Sequence, residues 1–347
     1  MSNPAVTVLM PAFNAGRFIA ASIRSVLAQD FEDFELLVID DGSTDETARI
    51  AEGFRDKRIR LVRNASNQGL VATLNQGLRE ARALLVARQD ADDLCRRDRL
   101  TRQTEHFSMN PSDAAVASEA RLIDETGRDC GALRLPRTRG QLRWDLCFRN
   151  PIPHSSVMMR RDAVLSEFGG YPVATSSEDY ALWSSIAAKN RFGLLPRRLV
   201  SYRIHSSSTM MSASSMAAAY RIDKSSAEST WALAAEGVGR VRSENMKATL
   251  AGVADARQQN VLLASWANPA DLDWAQYVGV FEKVASAYEE VHGALGRVPG
   301  IEYQTLLSRG APAFSELFKA LCRSSPGRIP LVPWHRIAGS ALLRKSR

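Results

Sequence analysis

Three aspartates, Asp90, Asp92 and Asp93, fall within four residues directly after the apolar run Leu84-Leu85-Val86-Ala87 and the pair Arg88-Gln89. Carboxylates this close, at the end of a buried strand, cannot all stay ionised without a compensating cation. Either one of them holds a proton or a metal ion is shared. An Asp-x-Asp spacing offers the oxygen ligands that hard ions such as Mg²⁺ or Mn²⁺ take, usually together with a diphosphate. The plainer alternative makes these residues turn and cap groups ahead of a helix beginning near Asp98. A second acidic pair, Asp40-Asp41, follows the apolar run Leu36–Ile39 and precedes Gly42-Ser43-Thr44-Asp45. Helix capping accounts for Ser43, Thr44 and Asp45. It leaves Asp40 and Asp41 over, and an acid at that edge can accept hydrogen bonds from a nucleobase N–H or a ribose hydroxyl. A third pair, Glu178-Asp179, reads locally as acids at the positive end of a helix. Tyr180 and Trp183, three apart on that helix, read as core, and His154 and His205 taken singly read as structural histidines.

The elements that carry these groups are legible from periodicity. Val6–Met10 reads as a strand, and Phe18, Ile19, Ile23, Val26 and Leu27 recur at helical spacing before a second strand, Phe34–Ile39. A helix after Asp45, a strand near Ile59–Val62, a helix over about Leu70–Arg82 and the strand Leu84–Ala87 continue the alternation. Strands alternating with helices predict an α/β fold with a mostly parallel, doubly wound sheet. Ligands of such sheets bind beyond the carboxyl ends of the strands, which is where the first two acidic clusters fall.

Composition sets limits. The 347 residues are 45% hydrophobic and 24% charged, which excludes a disordered chain, and no run approaches the ~20 apolar residues of a membrane-spanning helix. The net charge is +7, and from Lys319 onward there are seven basic residues and no acid. The basic excess therefore belongs to a tail and does not indicate a nucleic-acid-binding body. Cys95, Cys130, Cys147 and Cys322 are far apart and form no C-x-x-C pair, so they read as reduced, packed thiols. Met1–Met10 carries no Lys or Arg and its apolar run stops at Pro11, which predicts a cytoplasmic chain without a secretory leader. Ser206-Ser207-Ser208 and Ser212–Ser215 suggest a linker. The expected division is 1–210 as the first domain, 211–325 as a mainly helical region and 326–347 as a basic tail. That tail mixes Trp334, Leu342 and Leu343 with unopposed basic charge, a pattern suited to peripheral docking on an anionic membrane face.

Pro11-Ala12-Phe13-Asn14, Asp40-Asp41-Gly42-Ser43-Thr44-Asp45, Asn67-Gln68-Gly69, Arg88-Gln89-Asp90-Ala91-Asp92-Asp93 and Asp98-Arg99-Leu100 form an ordered set. In order and spacing it resembles the family-two inverting nucleotide-sugar glycosyltransferases of the Rossmann-like GT-A fold. The resemblance covers residues 5–210. Asn150–Arg161, Gly169-Gly170-Tyr171, Glu178–Trp183 and Tyr202-Arg203-Ile204-His205 are similar to that family's acceptor-side motifs. It implies that Pro11, Phe13, Asn14, Asp40, Asp41, Arg88 and Asp90 line the donor site. Phe13 stands where such enzymes more often carry Tyr, a ring lying against the base. Asp41 contacts the base, Arg88 faces the diphosphate, and Asp90 faces the ribose or donor sugar. Asp92 holds a divalent metal ion, Mn²⁺ or Mg²⁺, with His205 near the metal or the diphosphate. Asp179 is the catalytic base, and His154, Glu178 and Trp183 lie on the acceptor side. The implied partners are a nucleotide-diphosphate sugar, UDP-sugar favoured, and a glycan or lipid-linked acceptor in surface polysaccharide biosynthesis.

The chemistry fits those roles. A sugar hydroxyl ionises far above neutrality, so it needs a positioned carboxylate to take its proton, and a departing nucleoside diphosphate needs positive charge as it develops. One base and one in-line displacement invert the anomeric carbon. A sugar nucleotidyltransferase is the nearest rival, but Met10–Asn14 lacks the Gly-rich, Arg-Lys phosphate loop it requires. A phosphoacceptor receiver module ends too early to include Glu178-Asp179, and a non-catalytic nucleotide-sugar-binding or membrane-docking protein has no need of every acid.

Overall fold

Strand β1, Val6–Ala12, is buried along its whole length. Its side chains alternate between two cores: Val6, Val8 and Met10 enter one, and Leu9 enters the other. The neighbouring strand β2, Phe34–Asp40, divides the same way, with Leu36 and Val38 on one side and Leu37 and Ile39 on the other. Burial on both faces is why these strands read as continuous apolar runs and not as an alternation. Helix α1, Ile19–Leu27, closes one face through Ile19, Ile23 and Val26. The order continues with α2 (Thr47–Glu52), β3 (Ile59–Arg63), α3 (Leu70–Glu80), β4 (Leu85–Arg88), β5 (Leu94–Cys95), α4 (Arg99–Met109), β6 (Ala115–Ile123), β7 (Asp129–Leu133) and α5 (Arg139–Leu146). α3 closes the opposite face from α1 through Leu74 and Leu78. A 3-10 turn at His154–Ser156 leads into β8 (Met158–Arg160), α6 (Arg161–Phe168), α7 (Glu178–Ala188) and β9 (Phe192–Arg203). This computed structural model describes residues 3–173, 177–205, 241–267 and 274–292.

The sheet order is β3-β2-β1-β4-β8-β6-β9-β5, with β7 added on β6. β1 runs parallel to β2 and β4, β2 to β3, and β6 to β9, whereas β8 is antiparallel to both β4 and β6. β7 on β6 and β5 on β9 are antiparallel as well. The expected parallel sheet therefore holds for β3-β2-β1-β4, and the sheet as a whole is mixed. The physical reason is local. β8 is three residues long and is entered from a tight turn instead of a crossover helix, so no periodic run announces it.

Met1–Asn245 and Met246–Arg347 form two compact units. In the first, Val241 joins the core, and Asn245 Nδ2 donates to the Leu146 carbonyl and to Ser184 Oγ, each at 2.7 Å. The second contains α8 (Ala256–Ala267) and α9 (Trp274–His292), with Leu250, Leu262, Phe281, Val284 and Tyr288 buried. The expected linker at 206–215 and basic tail at 326–347 lie outside the described residues. Among the described residues no helix is long and apolar enough to cross a membrane.

Candidate functional site

The carboxyl ends of β1, β2 and β4 and the end of β9 carry the expected residues. Pro11 is buried within β1, paired with β2 and beyond the last residue paired with β4. Phe13 emerges just past the strand end and is 47% exposed. Asn14, at φ 48°, accepts the Thr44 N–H on Oδ1 at 2.9 Å and donates its own backbone N–H to Ser43 Oγ at 2.9 Å. It latches the β1 loop to the β2 loop.

Asp40 and Asp41 are both buried. Asp40 accepts the Ser43 N–H at 3.3 Å and lies 3.8 Å from Arg63 Nε. Asp41 accepts from Asn64 Nδ2 (2.8 Å) and from the backbone N–H groups of Gln68 (3.0 Å) and Gly69 (2.9 Å). Its carboxylate is thus committed to the 64–69 loop, which accounts for a buried charge without invoking the base. Gly42 allows this docking: at φ +70°, an added Cβ would sit 2.5 Å from the Ser66 carbonyl carbon and 2.7 Å from Asn67 N. No L-residue with a side chain fits there.

Arg88 ends β4 and is 1% exposed. The resemblance places it toward a diphosphate. In the structure its Nη1 pairs with Asp90 Oδ1, and Nε has no hydrogen-bond partner among the described residues. Burial opposes ionisation of Asp90, but the Arg88 charge beside it wins and holds the carboxyl below its ordinary value. Ser155 Oγ contacts Asp90 Oδ2 (2.5 Å) and Asp93 Oδ2. A hydroxyl has one hydrogen to give, so one of these carboxyls must itself donate to Ser155. Asp93 is that group: burial first, then the charges of Asp90 and Asp92, push it well above the carboxylate range. Its other oxygen accepts the Arg203 N–H at 2.7 Å.

Asp92 Oδ2 meets His205 Nε2 at 2.7 Å. Burial and the charge of Asp90 raise the Asp92 carboxyl, and His205 opposes them. One oxygen from each of Asp90, Asp92 and Asp93 lies within 4.8 Å of the others. Asp90 is committed to Arg88, and Asp93 to Ser155 and Arg203. Asp92, its side chain 29% exposed, offers the carboxylate oxygen that suits a hard ion such as Mn²⁺ or Mg²⁺, with the His205 imidazole paired to it. Arg203 braces this arm: Nε donates to the Asp92 carbonyl at 2.8 Å and Nη1 to the Asp124 carbonyl at 3.0 Å. Its guanidinium lies 4.8 Å from the centre of the Phe18 ring, which in turn packs on His205 at 4.9 Å.

The Arg88 charge also acts on Glu178 and Asp179 in the first turn of α7. Asp179 Oδ1 accepts the Tyr180 N–H at 2.6 Å, and Oδ2 accepts Asn150 Nδ2 at 2.9 Å. Burial, then the neighbouring Glu178 charge, pushes Asp179 up to about 7, against those two hydrogen bonds and Arg88. Burial raises Glu178 as well. His154 Nε2 lies 3.0 Å from the Tyr171 hydroxyl, and burial followed by the Arg88 charge keeps its imidazole neutral. Tyr171 is itself clamped by Asn75 on α3, which accepts its N–H (2.9 Å) and donates to its carbonyl (2.8 Å).

Trp183, which the resemblance places on the acceptor side, is 0% exposed and packs edge-on against His154, Tyr171 and Phe192 at ring distances of 5.6–6.0 Å. One turn after Asp179 on the same helix face, it lies beneath the site as core. Sequence reasoning assigned no role to Ser155, Asn150, Tyr171 or Arg203, although all four stand inside the motifs it singled out. Asn75 gave no signal, being one polar residue within a helix.

The family model described as Glycosyl transferase family 2 matches residues 7–167. An uncharacterized glycosyltransferase of Haemophilus influenzae is 33% identical over 223 residues, 59% of this chain and 67% of that protein. The O-antigen biosynthesis glycosyltransferase WbnJ of Escherichia coli is 30% identical over 216 residues, 60% of this chain and 83% of WbnJ. Among solved structures, residues 1–349 of S. aureus TarS in complex with UDP-GlcNAc match with a TM-score of 0.54 at 18% identity, covering 91% of this chain and 88% of that one. That likeness is one of fold, and the fold is GT-A. With a relative covered over most of its length and the motif order intact from β1 to β9, the chain belongs to glycosyl transferase family 2 and is a glycosyltransferase.

Proposed function

We propose that this enzyme transfers a sugar, with inversion, from a nucleoside-diphosphate donor to a hydroxyl of a glycan or lipid-linked acceptor in surface polysaccharide biosynthesis. The observation that carries the reading is Asp179, a half-buried carboxyl raised to about 7 within reach of the Arg88 charge. A carboxylate poised near neutrality accepts a hydroxyl proton more readily than an ordinary aspartate while still being ionised in part of the population. Asp179 takes the acceptor's proton as the oxygen attacks the anomeric carbon from the face opposite the leaving group. Asp90, kept ionised by Arg88, accepts a ribose or donor-sugar hydroxyl. The exposed Phe13 ring offers a stacking face for the base. Asp92, with His205 beside it, would hold the divalent ion, which would supply positive charge against that of the departing diphosphate. Glu178 and His154 border the acceptor, with neutral His154 able to donate or accept one hydrogen bond. A UDP-sugar is the favoured donor, supported by the UDP-GlcNAc bound to TarS; the polysaccharide setting is supported by the O-antigen role in WbnJ's name.

The test is donor turnover across UDP-, GDP- and dTDP-sugars with Mn²⁺, Mg²⁺ or chelator. The expected result is preference for UDP-sugars, dependence on the divalent ion, and loss of at least about 100-fold in Asp179→Asn. Wild-type turnover in that variant would refute the base. The basic tail is proposed to hold the enzyme at an anionic membrane face. Deleting 326–347 is then expected to lower partition onto phosphatidylglycerol vesicles at low salt; unchanged partition removes the tail from the account.

A further inference from the structure

The structure assigns a task to Asn150 that none of the motifs announces: we propose that it is a positioning residue, its side-chain amide aiming the Asp179 carboxylate and favouring the ionised form. The inference rests on Asp179 being the base.

Asn150 precedes Pro151, which biases its backbone toward an extended conformation. Its Oδ1 accepts the Ile152 N–H at 3.1 Å, a local turn anchored by the buried Ile152 side chain. That bond settles which way the amide faces, because an N–H demands the oxygen; Nδ2 is left to point at Asp179 Oδ2, 2.9 Å away. The Tyr180 N–H takes the other oxygen. One donor on each oxygen fixes the plane of the carboxylate, and each oxygen keeps a lone pair for an incoming hydroxyl.

The charged and titratable groups acting on Asp179 come from three elements. Glu178 lies beside it on α7 and favours the protonated form, as does burial. Arg88, at the end of β4, favours the carboxylate. Tyr171, on the 169–171 turn, also senses the Asp179 charge and stays un-ionised. Against burial and Glu178 stand Arg88, the Tyr180 N–H and Asn150. Arg88 also serves Asp90 and the Tyr180 N–H is backbone, so Asn150 is the contributor whose donor can be removed while its own acceptor bond to the Ile152 N–H is kept.

The experiment is the pH profile of kcat/KM from pH 5.5 to 9.5 for wild type, Asn150→Asp, Asn150→Leu and Asp179→Asn, with donor KM and thermal unfolding alongside. Asn150→Asp keeps an acceptor for the Ile152 N–H and loses the donor, so the local turn survives even where Asn150→Leu fails to fold. The expected outcome is an acid limb moved up by about one pH unit in Asn150→Leu and further in Asn150→Asp. Activity at pH 6.5 falls about tenfold and returns to within about threefold of wild type at pH 9 in Asn150→Leu, with donor KM unchanged. An unmoved acid limb, or a loss equal at every pH, overturns the proposal. Those results with an inactive Asp179→Asn would reject Asn150 alone; an active Asp179→Asn rejects the base itself.

Discussion

Replacing Asp179 by Asn is expected to abolish transfer and at the same time to stabilise the fold above neutral pH. The carboxyl ionises at about 7 in the folded chain against 3.8 ordinarily. Between those two values the unfolded chain binds fewer protons than the folded one, so stability contributed by this site falls as pH rises through that window. At 1.36 kcal/mol per pH unit, the cost above pH 7 is about 4 kcal/mol. An amide has no charge to strip of water, so the substitution removes that cost. It also leaves either the Tyr180 N–H or Asn150 Nδ2 without its acceptor, at about 1 kcal/mol. The net expectation is a gain of about 3 kcal/mol at pH 8 and a loss of about 1 kcal/mol at pH 4. For a unit of this size the gain raises the unfolding midpoint by roughly 6 to 12 °C. Thermal unfolding followed by circular dichroism at both pH values, alongside donor turnover, measures it. A midpoint at pH 8 equal to or below wild type would refute the reasoning, as would the same difference at pH 4 and pH 8.

Two further substitutions separate positioning from contact. Gly42→Ala forces a side chain onto the Ser66 and Asn67 backbone at φ +70°, and should cost at least about 2 kcal/mol in urea unfolding and raise donor KM by loosening the 64–69 loop; a neutral result would mean the loop yields. Trp183→Phe removes a buried indole whose Nε1 has no hydrogen-bond partner among the described residues, so it should cost about 1–2 kcal/mol through packing alone and leave acceptor KM unchanged. A rise in acceptor KM with unchanged stability would return Trp183 to the acceptor wall.

The first half of the sheet was legible because burial on both faces leaves long apolar runs, as in Leu36–Ile39, and because α1 and α3 each present one apolar stripe. β5 and β8, two and three residues long, are too short to show any period, so the mixed half of the sheet escaped. Strand-end acids were legible for the same reason the strands were. Their partners were not. Asp41 is held by Asn64, Gln68 and Gly69 across gaps of 23 to 28 residues, Asp90 by Ser155 across 65, and Asp93 by the Arg203 backbone across 110. Trp183 shares a helix face with Asp179, and its burial comes from His154, Tyr171 and Phe192, rings brought to it from other elements.

Residue types and their order were enough to carry the resemblance to the family and its GT-A fold and to single out the strand-end acids, since motif spacing is local. Protonation was decided only in three dimensions. Asp90 is held low because the Arg88 charge lies beside it, Asp93 is raised because burial and the charges of Asp90 and Asp92 outweigh its hydrogen bonds, and Asp179 is raised because burial and Glu178 outweigh its two hydrogen bonds and Arg88. A carboxyl's charge state depends on the water removed from it and on the charges brought near it, and both are set by parts of the chain far away in sequence.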